Sequence, residues 1–192
     1  IAHESLPTGE KEIAEYFEQL FSSADVNGAG RLAHHQLGDL LRASDLGMSK
    51  VQMHTVLGEA IKDEDGYVNY MDFAVVAAQM VGSMLNFEDQ AEILAYRNEN
   101  ECLINGMNES SFKGTLSDTI ANGSDDGFLS LDEIQDVIFT VLPECSSNEM
   151  NALLTMLYDQ DEATEKWKCD DLIEYGFQVL QQQREVSALR AK

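Results

Sequence analysis

Three short segments gather oxygen-bearing side chains around glycine: Asp25-Val-Asn27-Gly-Ala-Gly30-Arg-Leu32, Asp63-Glu-Asp65-Gly66-Tyr-Val68 and Asn122-Gly-Ser124-Asp-Asp126-Gly127-Phe128-Leu129. Carboxylates, amides and hydroxyls at alternate positions of a tight turn can converge on a hard divalent cation. Such an ion needs roughly six to eight oxygens, with enough negative charge among them to offset its dehydration. Other chemistry is poorly represented. His34, His35 and His54 form no zinc-protease spacing, and the chain has no glycine-rich phosphate loop or serine-nucleophile motif. The histidines read as surface residues, and no enzymatic activity is expected. Cys102, Cys145 and Cys169 are odd in number and belong to no CxxC pair, which argues against a disulfide framework or zinc site and for a reducing compartment. Asn108-Glu-Ser110 and Asn122-Gly-Ser124 match the glycosylation pattern, one short enough to arise by chance.

The oxygen-rich segments lie between stretches of helical periodicity. Ile13, Tyr16, Phe17, Leu20 and Phe21 fall on one helix face. Phe73, Val76, Ala77, Met80, Val81, Met84 and Leu85 form a second stripe. Ile134, Val137, Ile138, Val141 and Leu142 form a third, and Met150, Leu153, Leu154 and Leu157 a fourth. A thinner fifth runs through Leu172, Tyr175, Val179 and Leu180. Ser49…Gln52, Ser130…Glu133 and Ser146…Glu149 each have the spacing of a capping box, in which serine and acid or amide satisfy each other's orphan amides. Pro143 stands where the third stripe should stop. The expected fold class is all-α.

Helix, glycine-turned acidic loop and helix, repeated along the chain, resembles the EF-hand. In that motif ligands at loop positions 1, 3, 5, 7, 9 and 12 surround calcium and glycine occupies position 6. Position 8 carries an apolar residue that bridges to the loop of a paired hand. Aligned on that glycine, loops 1, 2 and 3 begin at Asp25, Ile61 and Asn122, and the first two are spaced as paired hands are. A fourth loop is expected to begin at Asp159 or Gln160. The repeat covers nearly the whole chain and is similar to the calmodulin, troponin C and myosin light chain superfamily. The resemblance implies two EF-hand-pair lobes, residues 1–85 and 112–192. Residues 86–111 would join them as an extended or helical linker, either lengthening the preceding helix or forming a separate linker helix, with a solvated connector as the plainer reading.

The resemblance also assigns ligands. Loop 1 offers Asp25 and Asn27, but has Ala29 at position 5 and Gln36 at position 12. Loop 2 offers Asp63, Asp65, Asn69 and the short Asp72, but Ile61 stands at position 1. These two are expected to be inactive. Loop 3 fills all six positions with Asn122, Ser124, Asp126, the Phe128 carbonyl, Ser130 through water, and Glu133. With only Asp126 and Glu133 charged, this is the one site open to calcium, and any binding there is expected to be no tighter than about 10⁻⁵ M. Ser130 and Glu133 could equally serve only their capping box. Loop 4 lacks the glycine and carries Lys166 and Lys168, which would repel a cation; its acids read as a solvated turn, with Trp167 in the lobe core.

Against 35 acidic residues stand 12 basic ones, a net charge of -23. Such a surface repels nucleic acid and anionic membranes and attracts cations and basic peptides. No apolar run approaches the roughly 18 residues of a membrane span, and no signal-peptide pattern is present, so no direct membrane insertion is expected. Met71, Met80, Met84, Met150 and Met156 either line partner grooves or pack an ordinary core. Decayed loops on an intact apolar framework resemble myosin light chains, which stiffen a basic target helix. The resemblance implies a regulatory or adaptor subunit that binds an amphipathic, basic helix of a larger partner. A cytoplasmic, cytoskeletal or ciliary setting is the corresponding expectation. The alternative is a calcium sensor or buffer switching through loop 3, residues 122–133.

Overall fold

A computed structural model describes residues 9–99, 103–124, 126–157 and 165–191. Among them helices dominate: α1 (Glu10–Ala24), α2 (His34–Ala43), α3 (Lys50–Leu57), α4 (Tyr70–Leu85), α5 (Phe87–Glu99), α6 (Glu109–Gly123), α7 (Leu131–Val141), α8 (Ser147–Thr155) and α9 (Asp170–Arg190). Four very short strands join them: β1 (Arg31–Ala33), β2 (Tyr67–Asn69), β3 (Phe128–Leu129) and β4 (Trp167–Lys168). The fold is all-α, as the stripes require. All three expected capping boxes form: Ser49, Ser130 and Ser146 each accept from the backbone of the third residue onward, whose side chain accepts in return.

The strands pair the loops. β1 runs antiparallel to β2 with Leu32 opposite Val68, and β3 runs antiparallel to β4 with Leu129 opposite Trp167. These are the position-8 residues. The second pairing therefore starts loop 4 at Gln160 rather than Asp159, although residues 158–164 lie outside the described residues. Leu32, Val68 and Leu129 are buried, and Trp167 packs half-buried against the second core, so the bridges also anchor the loops to the helices.

Each half has its own apolar cluster. Ile13, Phe17 and Phe21 of α1 meet Phe73, Ala77 and Met80 of α4, and the Phe21 and Phe73 rings lie 5.7 Å apart. In the other half Phe112 and Leu116 of α6 meet Ile134 and Ile138 of α7, Leu153 of α8 and Phe177 of α9.

The halves are not separated by a solvated connector. Residues 87–99 form α5, whose Ile93 is buried and whose Arg97 forks onto Glu185 of α9 at 2.9 and 2.7 Å. The halves also touch directly, where α3 packs on α8 and α9. Asn151 of α8 donates to the carbonyls of Leu57, Gly58 and Ala60, capping the C-terminal end of α3. Beside it, a β-carbon on Gly58 would stand 2.7 Å from that of Ala152, so the approach requires glycine.

The 21-residue α9 extends roughly 30 Å. Its Val186 is fully buried within the first-half cluster, so the boundaries 1–85 and 112–192 do not divide the cores cleanly.

Two histidines expected on the surface are buried, His34 at 5% exposure and His54 at 0%. His54 Nδ1 lies 2.8 Å from Thr155 Oγ1, across the contact between halves. The contact between halves, invisible while they are imagined apart, accounts for the burial of His54, whereas His34 lies in α2, which packs against α1, α3 and β1 within the first half. His35 is exposed as expected.

Candidate functional site

The four loops sit as two bridged pairs, and each oxygen-rich side chain can be followed to its partner. In loop 1, Asp25 closes α1 and folds its carboxylate onto the loop backbone, accepting from Gly30 N at 2.7 Å and Ala29 N at 2.9 Å. The Tyr70 hydroxyl adds a third contact at 3.3 Å. These donors, the Gly30 amide foremost, hold Asp25 below the usual carboxylate range. Positive φ at Gly28 and Gly30 makes the turn possible. Gln36 accepts from Ala33 N at 2.9 Å, so the position-12 side chain caps α2, and Asn27 is exposed.

In loop 2, Asp63 Oδ1 accepts from Tyr67 N at 2.8 Å and Asp65 N at 3.0 Å. The remaining oxygens face a cation supplied by the chain. Arg31 Nη1, from loop 1, lies 3.1 Å from Asp63 Oδ2 and 2.8 Å from Asp65 Oδ2, and the guanidinium rests 4.9 Å from the Tyr67 ring centre. Asp63 is held below its ordinary pKa, chiefly by the Tyr67 amide and then by Arg31. Asn69 serves as N-cap of α4, accepting from Met71 N and Asp72 N, while Asp72 lies exposed in that helix's first turn. Ile61 at position 1 is 73% exposed and offers no side-chain oxygen. Arg31, Ile61, Lys62, Asp63, Asn69 and Asp72 line one cavity of about 540 Å³, in which the Arg31 guanidinium holds the loop 2 acids.

Loop 3 keeps its oxygens close to its own backbone. Ser124 Oγ donates to Asp126 Oδ1 at 2.6 Å, and Phe128 N donates to the same oxygen at 3.1 Å. Glu133 accepts from Ser130 N at 2.8 Å within the capping box. The Ser124 hydroxyl for Asp126, and the Ser130 amide for Glu133, lower these carboxyl groups, with Lys166 of the paired loop contributing its charge to both. Asn122 lies exposed in the last turn of α6. In loop 4, Lys168 pairs with Asp170, and the acids at 159 and 161 lie outside the described residues.

Neither arrangement fits calcium as it stands. Among the described residues no three His, Cys, Asp or Glu side chains converge on a common point. Loop 2 lacks a position-1 donor and holds a guanidinium. Loop 3 has the carboxylates at its ligand positions, Asp126 and Glu133, turned to hydroxyl and amide donors. Arg31 escaped the sequence reading because position 7 binds metal through its carbonyl, which leaves the side chain there unread.

The five methionines divide. Met80, Met84, Met150 and Met156 are buried in the two cores, whereas Met71 is 44% exposed on α4, one turn before the 47%-exposed Val75. In this arrangement four of them pack core and present no groove. Cys145 and Cys169 are free thiols, both pushed up to about 11 by burial; Cys102 lies outside the described residues. No described helix is long and apolar enough to cross a membrane.

Among known proteins, no family model matches the chain, and no solved structure matches it. Over 56 residues it is 32% identical to polcalcin Cup a 4 of Hesperocyparis arizonica, covering 29% of this chain and 34% of that protein. Over 62 residues it is 29% identical to the probable calcium-binding protein CML27 of Arabidopsis thaliana, covering 32% of this chain and 36% of that one. The chain thus spans about a third of the length of the curated relatives it matches. This similarity and the paired helix-loop-helix geometry both support an EF-hand origin for the chain's repeated units.

Proposed function

We propose that the chain is a calmodulin-like adaptor, regulatory rather than catalytic, whose loops are closed without metal and which binds an amphipathic, basic helix of a larger partner. The observation that carries this reading is the Arg31 guanidinium seated on Asp63 and Asp65 while the apolar cores of both halves remain complete. A hand already closed by its own cation has no metal-driven step with which to switch. The net charge of -23 would steer a Lys/Arg-rich helix toward the protein, and apolar contacts would supply most of the affinity. A cytoplasmic assembly, cytoskeletal or ciliary, is the setting we propose.

The test is binding of a synthetic Leu/Lys amphipathic helix in chelator and in millimolar calcium. Equal affinity in both, reduced when the exposed Met71 and Val75 are changed to Asp, is the expected result. Binding seen only with calcium would instead support a calcium sensor or buffer acting through loop 3. That second reading is favoured by the six donor positions of loop 3 and by the similarity to CML27, a probable calcium-binding protein.

A further inference from the structure

In each half, one loop of the pair has lost more of the motif: loop 1 has Ala29 and Gln36 at positions 5 and 12, and loop 4 lacks the glycine and carries Lys166 and Lys168. The β-bridges show what the decayed loop contributes. Arg31 occupies position 7 of loop 1 and stands opposite Asn69, position 9 of loop 2. In the other half, Leu129 faces Trp167 and Phe128 faces Lys168. One residue further along the same register, Lys166, position 7 of loop 4, comes opposite Ser130, position 9 of loop 3. The two basic residues therefore hold equivalent places in two separately paired sites, on opposite halves of the chain.

We propose that Arg31 and Lys166 are resident cations, each donated by the decayed loop of a pair to the acidic loop beside it, where they take over the charge-neutralising role of a metal ion. For Arg31 the contacts are direct. One guanidinium nitrogen bridges the carboxylates at positions 3 and 5 of loop 2, and Tyr67 at position 7 of that loop supports its face. For Lys166 the bridge register supplies the equivalent position, one residue beyond the Phe128–Lys168 and Leu129–Trp167 pairs and beside the loop that carries Asp126 and Glu133.

The geometry follows from the bridge. Antiparallel pairing places the position-7 residue of one loop across from position 9 of the other, within side-chain reach of the partner loop's acids. A neutral residue at position 7 leaves those acids repelling one another in the absence of metal. A basic one relieves the repulsion and, by the same charge, opposes an incoming divalent ion. Insensitivity to calcium would then come from the partner loop as well as from the missing ligands.

The experiment uses the full chain. In chelator, Arg31→Gln is expected to lower the thermal midpoint by about 2–4 °C, as fits an exposed but networked pair. Asp63→Asn with Asp65→Asn should remove most of that penalty, because the acids no longer need the cation. In calorimetry with calcium chloride, Lys166→Gln should bind calcium about tenfold more tightly than the unaltered chain, the scale of one nearby charge lifted from a divalent ion. Lys166→Arg, which keeps the charge, should not. Additivity between Arg31→Gln and the two Asp changes would overturn the proposal. Unchanged calcium affinity in Lys166→Gln would overturn it as well. The proposal rests on the metal-free closure invoked for the adaptor, but neither readout involves a target peptide, so its failure is distinguishable from failure of peptide binding.

Discussion

Arg97 on α5 forks onto both carboxylate oxygens of Glu185 on α9, a side chain 4% exposed, while the arginine itself remains partly in water. The pair fastens the connector to a helix that starts in the second half and ends in the first. Gln181 donates to the same carboxylate at 3.0 Å. Arg97→Met would leave a charge buried against one neutral donor. Because solvent reaches one side of the pair, the cost should be about 2 kcal/mol, below the penalty for a fully buried pair. Urea denaturation reads that loss, and limited proteolysis should show faster cleavage in α5. Adding Glu185→Gln should restore most of the stability. A connector equally protected in Arg97→Met would show that Ile93 alone holds it.

Gly58 has helical backbone angles, φ -57 and ψ -28, where alanine ordinarily stabilises. Here the added carbon would meet Ala152 Cβ at 2.7 Å, Asn148 O at 3.1 Å and Gln183 Nε2 at 3.1 Å. Gly58→Ala is therefore expected to destabilise by about 1–3 kcal/mol, reversing the usual sign. Denaturant unfolding decides it. A stabilised variant would mean that α3 and α8 are not in contact in solution.

Burial, helped by nearby Lys62, lowers His34 from its ordinary value to about 4. Below about pH 6.5 the unfolded chain takes up a proton that the folded chain refuses, so stability falls with pH and the loss is complete near pH 4. The full effect is on the order of 3 kcal/mol. Asp25, Asp63, Asp126 and Glu133 are lowered in the folded state, so their stabilisation disappears only at more acid pH, as each is protonated. Stability curves from pH 7.5 to 4.5 should slope for the unaltered chain and flatten for His34→Gln. The same slope in both would move its origin elsewhere.

Calcium affinity of the unaltered chain should be no tighter than about 10⁻⁵ M, since loop 3 has few charged donors and their oxygens are already engaged. Asn122→Asp should strengthen it and Glu133→Gln abolish it. Calorimetry with two or more submicromolar sites would refute this account of the loops.

The parts of this fold that repeat were legible in the residues. Stripes such as Ile13–Phe17–Phe21, the three serine capping boxes and the pairing of loops all follow from local periodicity. The contact between halves was not legible, because its makers have no period. Asn151, Gly58 and Thr155 are unremarkable one at a time and gain meaning only from what stands opposite. The second part of α9 was obscured by its composition: Gln181-Gln182-Gln183 reads as a solvated surface, yet Gln183 is buried beside Glu59, with its Nε2 3.4 Å from that carboxylate. Capping explains the doubled reading of Ser130 and Glu133, since the oxygens that suit a cation also suit orphan amides.

Val186 completes a core whose other residues lie between positions 13 and 84. A ribosome making this chain in order releases α1 to α4 long before it reaches that valine. Through most of synthesis, the first half would therefore have a gap in its apolar packing at the place α9 later fills. Nascent chains halted before residue 186 should consequently be stickier, and better substrates for chaperones, than chains halted just beyond it.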